Sequence, residues 1–304
     1  MTAAPPSTGR RTAGRRQSPE ERRTASVTIG VAVGLLLLVY WQILYYMILH
    51  WKQVPDYNHG FLVAPLAIYF AWERRRKLRR IRIQGSWLGV IPLGIGLVSL
   101  AVGRLGVELT TMRSGFVFTL IGLVVLLLGK RMFRVLAFPL LFLFLMVPLP
   151  QSLVNVIAFP LQLIAASAAV SAMHMIGIPV LLEGNIIHLA HTDLFVEQAC
   201  SGLRSLTSLI TIGVIFAYFF RKTLGERVIL VVSTIPIAIV VNAFRVALTG
   251  ALAHWFGEET ATGVVHQLEG LFTFVLALSL LFVEAHLLSL LWVRLPERVR
   301  KALA

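Results

Sequence analysis

Charge is scarce in this sequence, and acidic charge scarcer still: 14% of its 304 residues are Asp, Glu, Lys or Arg, and 14 acidic residues face 28 basic ones. Polar stretches long enough to wrap a soluble core are missing, since 57% of the residues are hydrophobic and mean hydropathy is +0.81. These values exclude an ordinary soluble domain and point to a polytopic membrane protein. Cysteine is nearly absent. A lone Cys200 rules out an intrachain disulfide, so the chain carries no redox signature. The basic excess, a formal net charge of +14, sits in short clusters between apolar runs and forms no nucleic-acid-binding face. No small-residue cleavage pattern follows the Arg-, Ser- and Pro-rich residues 1–26, which are expected to be a cytoplasmic tail ahead of a start-transfer helix.

A membrane crossing takes about 20 apolar residues. Runs of that kind lie near 27–49, 60–72, 86–103, 114–129, 132–149, 203–220, 228–250 and 266–292. Basic clusters at 10–23, 74–82, 130–134, 221–227 and 294–301 fall on one side if all eight runs cross, and the positive-inside rule makes that side the cytoplasm. Both termini are then cytoplasmic. The stretch 151–177 is also apolar, but a ninth crossing would put the later clusters on the wrong side, and Pro148, Pro150, Pro160 and Pro179 punctuate it. It is expected to lie along the outer leaflet or to dip into it as a re-entrant hairpin. Residues 179–198 read as short strands at 180–182, 186–189 and 194–196, separated by turns at Glu183-Gly184-Asn185 and near Thr192-Asp193. The expected fold is therefore all-α and polytopic, with about eight transmembrane helices, an outer-leaflet helix and a small extracytoplasmic β-hairpin. One transmembrane domain, 27–293, sits between the basic tails 1–26 and 294–304.

On this topology Cys200, Arg245 and His266 come from three helices to one depth at the outer face. Cys200 stands in Glu197-Gln-Ala-Cys-Ser201-Gly202-Leu-Arg204-Ser, at the entrance of a helix whose free N–H groups favour a thiolate and offer an oxyanion site. It reads either as a nucleophile or as a small buried hydrophobe. Arg245 lies within an apolar helix, where an ionisable side chain marks function by default unless it snorkels to the headgroups; Asn242 shares its face. His266 opens the next helix and supplies a group able to exchange a proton near neutral pH, or else an interfacial polar residue. Tyr57-Asn-His59-Gly60 reads first as an aromatic belt and helix cap. A metal site finds little support: His188 and His191 do not have helical ligand spacing, and His254, Glu258 and His266 lack a close second pair. No cofactor is called for. A non-enzymatic component of exopolysaccharide export is the rival reading, with Arg245 and Glu269 lining a polar path, but polar residues at mid-membrane are too few for a sugar channel.

Glu197-x-Ala199-Cys200-Ser201-Gly202-Leu203-Arg204-Ser205, then Asn242-x-x-Arg245, then His266-x-x-x-Gly270, together with Tyr57-x-His59-Gly60, resembles the exosortase and archaeosortase family over roughly 50–292. The resemblance implies a membrane-embedded cysteine transpeptidase with Cys200 as nucleophile, Arg245 stabilising the oxyanion and His266 as acid/base. Glu197, Ser201, Gly202, Arg204, Asn242, His59 and Gly270 would support the site or bind substrate. Implied partners are exported proteins carrying a C-terminal signal: a Pro-Glu-Pro-like motif, one transmembrane helix and a basic tail. The implied setting is the inner membrane, lipid-embedded, with the active site facing the periplasm. No feature of the sequence sets an oligomeric state.

Overall fold

The computed structural model describes residues 19–190, 192–196, 203–220, 223–261 and 263–294. Ten helices and three strands are described: α1 (Pro19–Gln53), α2 (Gly60–Glu73), α3 (Arg75–Leu78), α4 (Val90–Leu105), α5 (Leu109–Leu123), α6 (Lys130–Phe142), α7 (Gln151–Met175), β1 (Leu181–Glu183), β2 (Ile186–His188), β3 (Asp193–Phe195), α8 (Leu203–Phe220), α9 (Leu224–Phe256) and α10 (Gly263–Arg294). Six of these helical stretches, Ser26–Gln53, Trp87–Leu105, Leu109–Leu128, Ser152–Met175, Leu224–Phe256 and Gly263–Leu290, are long and apolar enough to cross a membrane. The chain is an all-α multi-pass membrane protein with a small sheet.

The chain forms two compact units, one of Met1–Tyr46 with Pro65–Phe144 and one of Met47–Ala64 with Leu145–Ala304. The first is built on the pair α4 and α5. Gly89, Gly96 and Gly103 recur every seven residues, as do Gly115, Gly122 and Gly129. A Cβ on Gly96 would meet the side chain and amide of Thr119, one on Gly122 the backbone of Leu93, and one on Gly89 the amide of Leu126. In lipid, where no hydrophobic force drives helices together, backbone approach of this kind is what holds them. Fully buried Tyr40 of α1 closes the group, its hydroxyl 2.8 Å from Thr119 Oγ1 and 3.2 Å from Gly96 O. Glu108 caps α5, accepting from the amides of Thr110 and Thr111.

In the second unit α7 forms the helix expected over 151–177 rather than a broken hairpin. It is one continuous helix of 25 residues. Of the four prolines in the region, Pro148 precedes it, Pro150 is its N-cap, where a missing N–H costs nothing, and Pro179 follows it, so only Pro160 falls inside. Its alanine-rich half is fully buried at Ala165, Ala166 and Ala169. By length α7 qualifies as a crossing, whereas α2 with 14 residues matches its short run at 60–72 and α6 with 13 falls short of the run at 132–149, each containing a proline. Yet both flanks of α7 lie together. Trp51 donates its indole N–H to Met146 O (3.0 Å), His59 Nε2 is 3.1 Å from Leu145 O, and Thr207 in the first turns of α8 donates to Asp56 O (3.4 Å). The chain thus leaves from and returns to one end of the unit between α6 and α8.

The three short strands expected at 180–182, 186–189 and 194–196 are present as β1, β2 and β3. The sheet has order β1-β2-β3, all antiparallel, with Leu182 opposite Ile187 and Ile187 opposite Leu194. Gly184, at φ +63°, makes the tight first turn. Period-two alternation points Ile187 and Leu194 inward, where they pack with Ala166, Ala169 and Met173 of α7, Val246 and Ala251 of α9, and Val196.

Candidate functional site

The α9 helix begins on a capping box, Thr223 and Glu226 bonding each other's backbone amides. It then runs unbroken to Phe256. Asn242, Arg245 and Thr249 stand at i, i+3 and i+7, on one face of it. On α10 the residues His266, Glu269, Gly270 and Thr273 form the matching stripe. Between the two helices Arg245 donates from Nη2 to Nε2 of His266, 3.0 Å away. Gly270 supplies the room: a Cβ there would stand 3.3 Å from Arg245 Nη2 and 3.5 Å from Cζ.

Behind His266 lies Glu269, whose side chain is 4% exposed against 20% for the imidazole; its Oε2 is 3.4 Å from His266 Nδ1 and accepts from Thr249 Oγ1 at 2.7 Å. The Nδ1 contact is within ion-pair range but is not an aligned hydrogen bond, and Nδ1 has no hydrogen-bond partner among the described residues. Three other buried atoms in this group also lack one among the described residues: Asn242 Oδ1, Arg245 Nε and Glu269 Oε1. Sequence reasoning brought Arg245, Asn242, His266 and Gly270 forward; it did not see Thr249. The available signal was the pairing of two helical spacings, 245/249 and 266/269, on consecutive helices.

His59 has other company. Its Nε2–H donates to Leu145 O. Burial pulls its imidazole below the usual range, against the raising effects of the Leu145 and Asp56 backbone and the Asp56 carboxylate. Gly60 is required beside it, because a Cβ would fall on the Trp51 indole. Glu197, Cys200, Ser201 and Gly202 lie outside the described residues, as does the side chain of Arg204, whose backbone opens α8. His188 bonds Asp193 Oδ1 through Nδ1 (2.7 Å), with Glu183 Oε2 3.6 Å from Nε2; His191 is outside the described residues. The cluster gives His188 two carboxylate neighbours and no second imidazole among the described residues.

A multi-pass membrane protein that keeps an arginine, a histidine and a glutamate in contact between two apolar helices is one built around a polar centre, since each such residue is costly there unless partnered. The class is consistent with the comparison of families. The model for transmembrane exosortase (Exosortase_EpsH) matches residues 51–283, most of the chain. The chain belongs to the transmembrane exosortase family. No curated protein and no solved structure matches it.

Proposed function

We propose that this exosortase is a cysteine transpeptidase or peptidase that cuts the C-terminal sorting signal of exported proteins, with Cys200, Arg245 and His266 as its catalytic residues. The observation that carries the reading is the 3.0 Å contact between Arg245 and His266, two residues chosen from sequence and found joined across helices. The thiolate of Cys200 attacks the substrate carbonyl, and the developing oxyanion draws the Arg245 guanidinium off His266. That frees the Nε2 lone pair of His266 to take the proton given up by the Cys200 thiol and to pass it to the leaving amine as the C–N bond breaks. The membrane tail departs and a thioester remains. An amine or hydroxyl acceptor, or water, then attacks the thioester, and the sulfur leaves as thiolate.

The chain on either side of Cys200 supports its assignment. Val196 packs in the same cluster as Val246, the neighbour of Arg245. Four residues reach at most about 14 Å from Val196 to Cys200, and Leu203 opens α8 three residues later. In this reading Glu197, Ser201, Gly202 and Arg204 shape the thiol's surroundings, and Asn242 and Gly270 set the guanidinium. His59 steadies the α1–α2 loop at the mouth. The domain spans 27–293 in the inner membrane between cytoplasmic tails 1–26 and 294–304, with the site toward the periplasm. The return of the chain to one end between α6 and α8 supports an α7 that makes no net crossing, which keeps the basic clusters on one side.

Cys200→Ala and Cys200→Ser are the test. Each should insert normally and abolish processing of an exported reporter bearing a Pro-Glu-Pro-like signal, transmembrane helix and basic tail. Mass spectrometry of the new C-terminus made by the unaltered chain separates transfer from hydrolysis. Full processing by the alanine variant sinks the proposal.

A further inference from the structure

We propose that Glu269, held in place by Thr249, is a positioning residue that fixes the tautomer and orientation of His266. The inference rests on the acid/base reading of His266 given above. It starts on the far side of the ring. A guanidinium offers only donors, so the nitrogen facing it, Nε2 at 3.0 Å, accepts. A neutral imidazole that accepts at Nε2 carries its proton on Nδ1. That nitrogen faces Glu269 Oε2 at 3.4 Å. The carboxylate is therefore where a proton on Nδ1 would be held, on the side of the ring away from the guanidinium.

Glu269 is itself anchored. Thr249 Oγ1 lies 2.7 Å from Oε2 and 3.0 Å from Arg245 O, and its one proton goes to the nearer acceptor. Thr249 sits one turn beyond Arg245 on α9, so the contacts run from Arg245 to His266, from His266 to Glu269 and from Glu269 back to Thr249 on the helix that carries Arg245. Elsewhere along α9 and α10 an apolar cluster of Ala238, Val241, Ala277, Leu281 and Ala285 packs the helices, and the other carboxylate of α10, Glu284, meets only the Ser233 hydroxyl across the seam, with no imidazole beside it among the described residues. A carboxylate in a membrane helix is expensive. Placed here it does what an acid/base histidine requires: it turns the lone pair at Nε2 toward the reacting groups and keeps the proton on the other nitrogen.

The test is histidine-nitrogen NMR on the full chain, isotopically labelled in lipid nanodiscs, with the His266 signals assigned from H266Q. The unaltered protein should show Nδ1 protonated and Nε2 unprotonated. E269Q and T249V should each move the two signals toward the opposite tautomer or an exchanging mixture, and E269D should restore part of the shift. On the reporter, E269Q should lower processing roughly 100-fold, the lower end of what a positioned acid/base supplies. T249V carries the experiment if E269Q does not fold. An Nε2-protonated His266 in the unaltered chain overturns the inference, as does a tautomer unchanged in well-folded E269Q or T249V. C200A keeps the two failures apart: it leaves the ring signals in place, and if it still processes substrate, the functional reading falls while the tautomer result stands.

Discussion

Adding one methyl group at Gly96 should destabilise the protein, and adding it two residues earlier at Gly94 should not. Both glycines lie inside α4, so both replacements by alanine gain the same helix propensity, about 0.8–1.0 kcal/mol. What differs is the space. A Cβ at Gly94 meets nothing within 4 Å, whereas one at Gly96 collides with the Thr119 side chain and amide and comes within 2.7 Å of Gly115 O. Backbone atoms cannot swing aside, so α4 and α5 must separate, and overpacking of this sort costs about 1–3 kcal/mol. The separation also pulls Tyr40 from its contacts with Gly96 O and Thr119, losing about 0.5–1.5 kcal/mol per hydrogen bond. After the propensity gain, G96A should be about 1–5 kcal/mol less stable than the parent, and G94A as stable or up to about 1 kcal/mol more so. Gly122, whose Cβ would fall on the Leu93 backbone, should behave as Gly96 does. Equilibrium unfolding in mixed detergent micelles reads the difference. A G96A protein as stable as G94A would refute the backbone packing of α4 on α5.

Two further outcomes follow from the second unit. Arg245→Lys keeps the charge but not the planar fork that reaches across to His266, and a point charge does not replace it; processing of the reporter should fall at least tenfold while the protein still inserts, and unchanged turnover would reduce Arg245 to a topological charge. His59 is held neutral by burial, so the unfolded chain binds its proton more readily than the folded one. Stability from this site is therefore full above the unfolded imidazole value of about 6.5 and declines as pH falls below it. Thermal melts across that range should show a shallower pH dependence for H59Q than for the unaltered chain, and parallel curves would discount the effect.

What the sequence made legible is what depends on hydropathy and on local spacing. The long apolar runs became α1, α4, α5, α9 and α10, because a run of twenty apolar residues has few other solutions in a bilayer. The strands at 181–195 were visible from alternation and a glycine turn. Arg245 and His266 stood out because ionisable residues in apolar helices are rare. Three features were hidden for identifiable reasons. Prolines around α7 looked like breaks when two of them sit outside the helix and one at its cap, so a weighting by position rather than number was needed. The seven-residue glycine spacing carries no hydropathy signal, since small residues neither raise nor lower it, although it fixes the closest helix pair of the first unit. Thr249 is a poor candidate by residue type and acquires meaning only from the carboxylate opposite.

The α9–α10 seam also shows why its polar end is more than a fastening. Farther along, Glu284 meets Ser233 Oγ at 2.6 Å, one acid satisfied by one hydroxyl across the same pair of helices. That is sufficient to hold two helices, because hydrogen bonds between membrane helices contribute about 0.6 kcal/mol on average. At the other end the Thr249–Glu269 pair repeats that solution, but the protein adds an arginine and a histidine and leaves Asn242 Oδ1, Arg245 Nε, His266 Nδ1 and Glu269 Oε1 without hydrogen-bond partners among the described residues. Buried polar atoms are almost always satisfied, and leaving one unmade costs about 1–3 kcal/mol. A seam selected for stability alone would stop at the hydroxyl–acid pair. Unspent donors and acceptors concentrated beside the cluster that holds Val196 and Val246 are what the proposed site would need in order to receive a polar backbone.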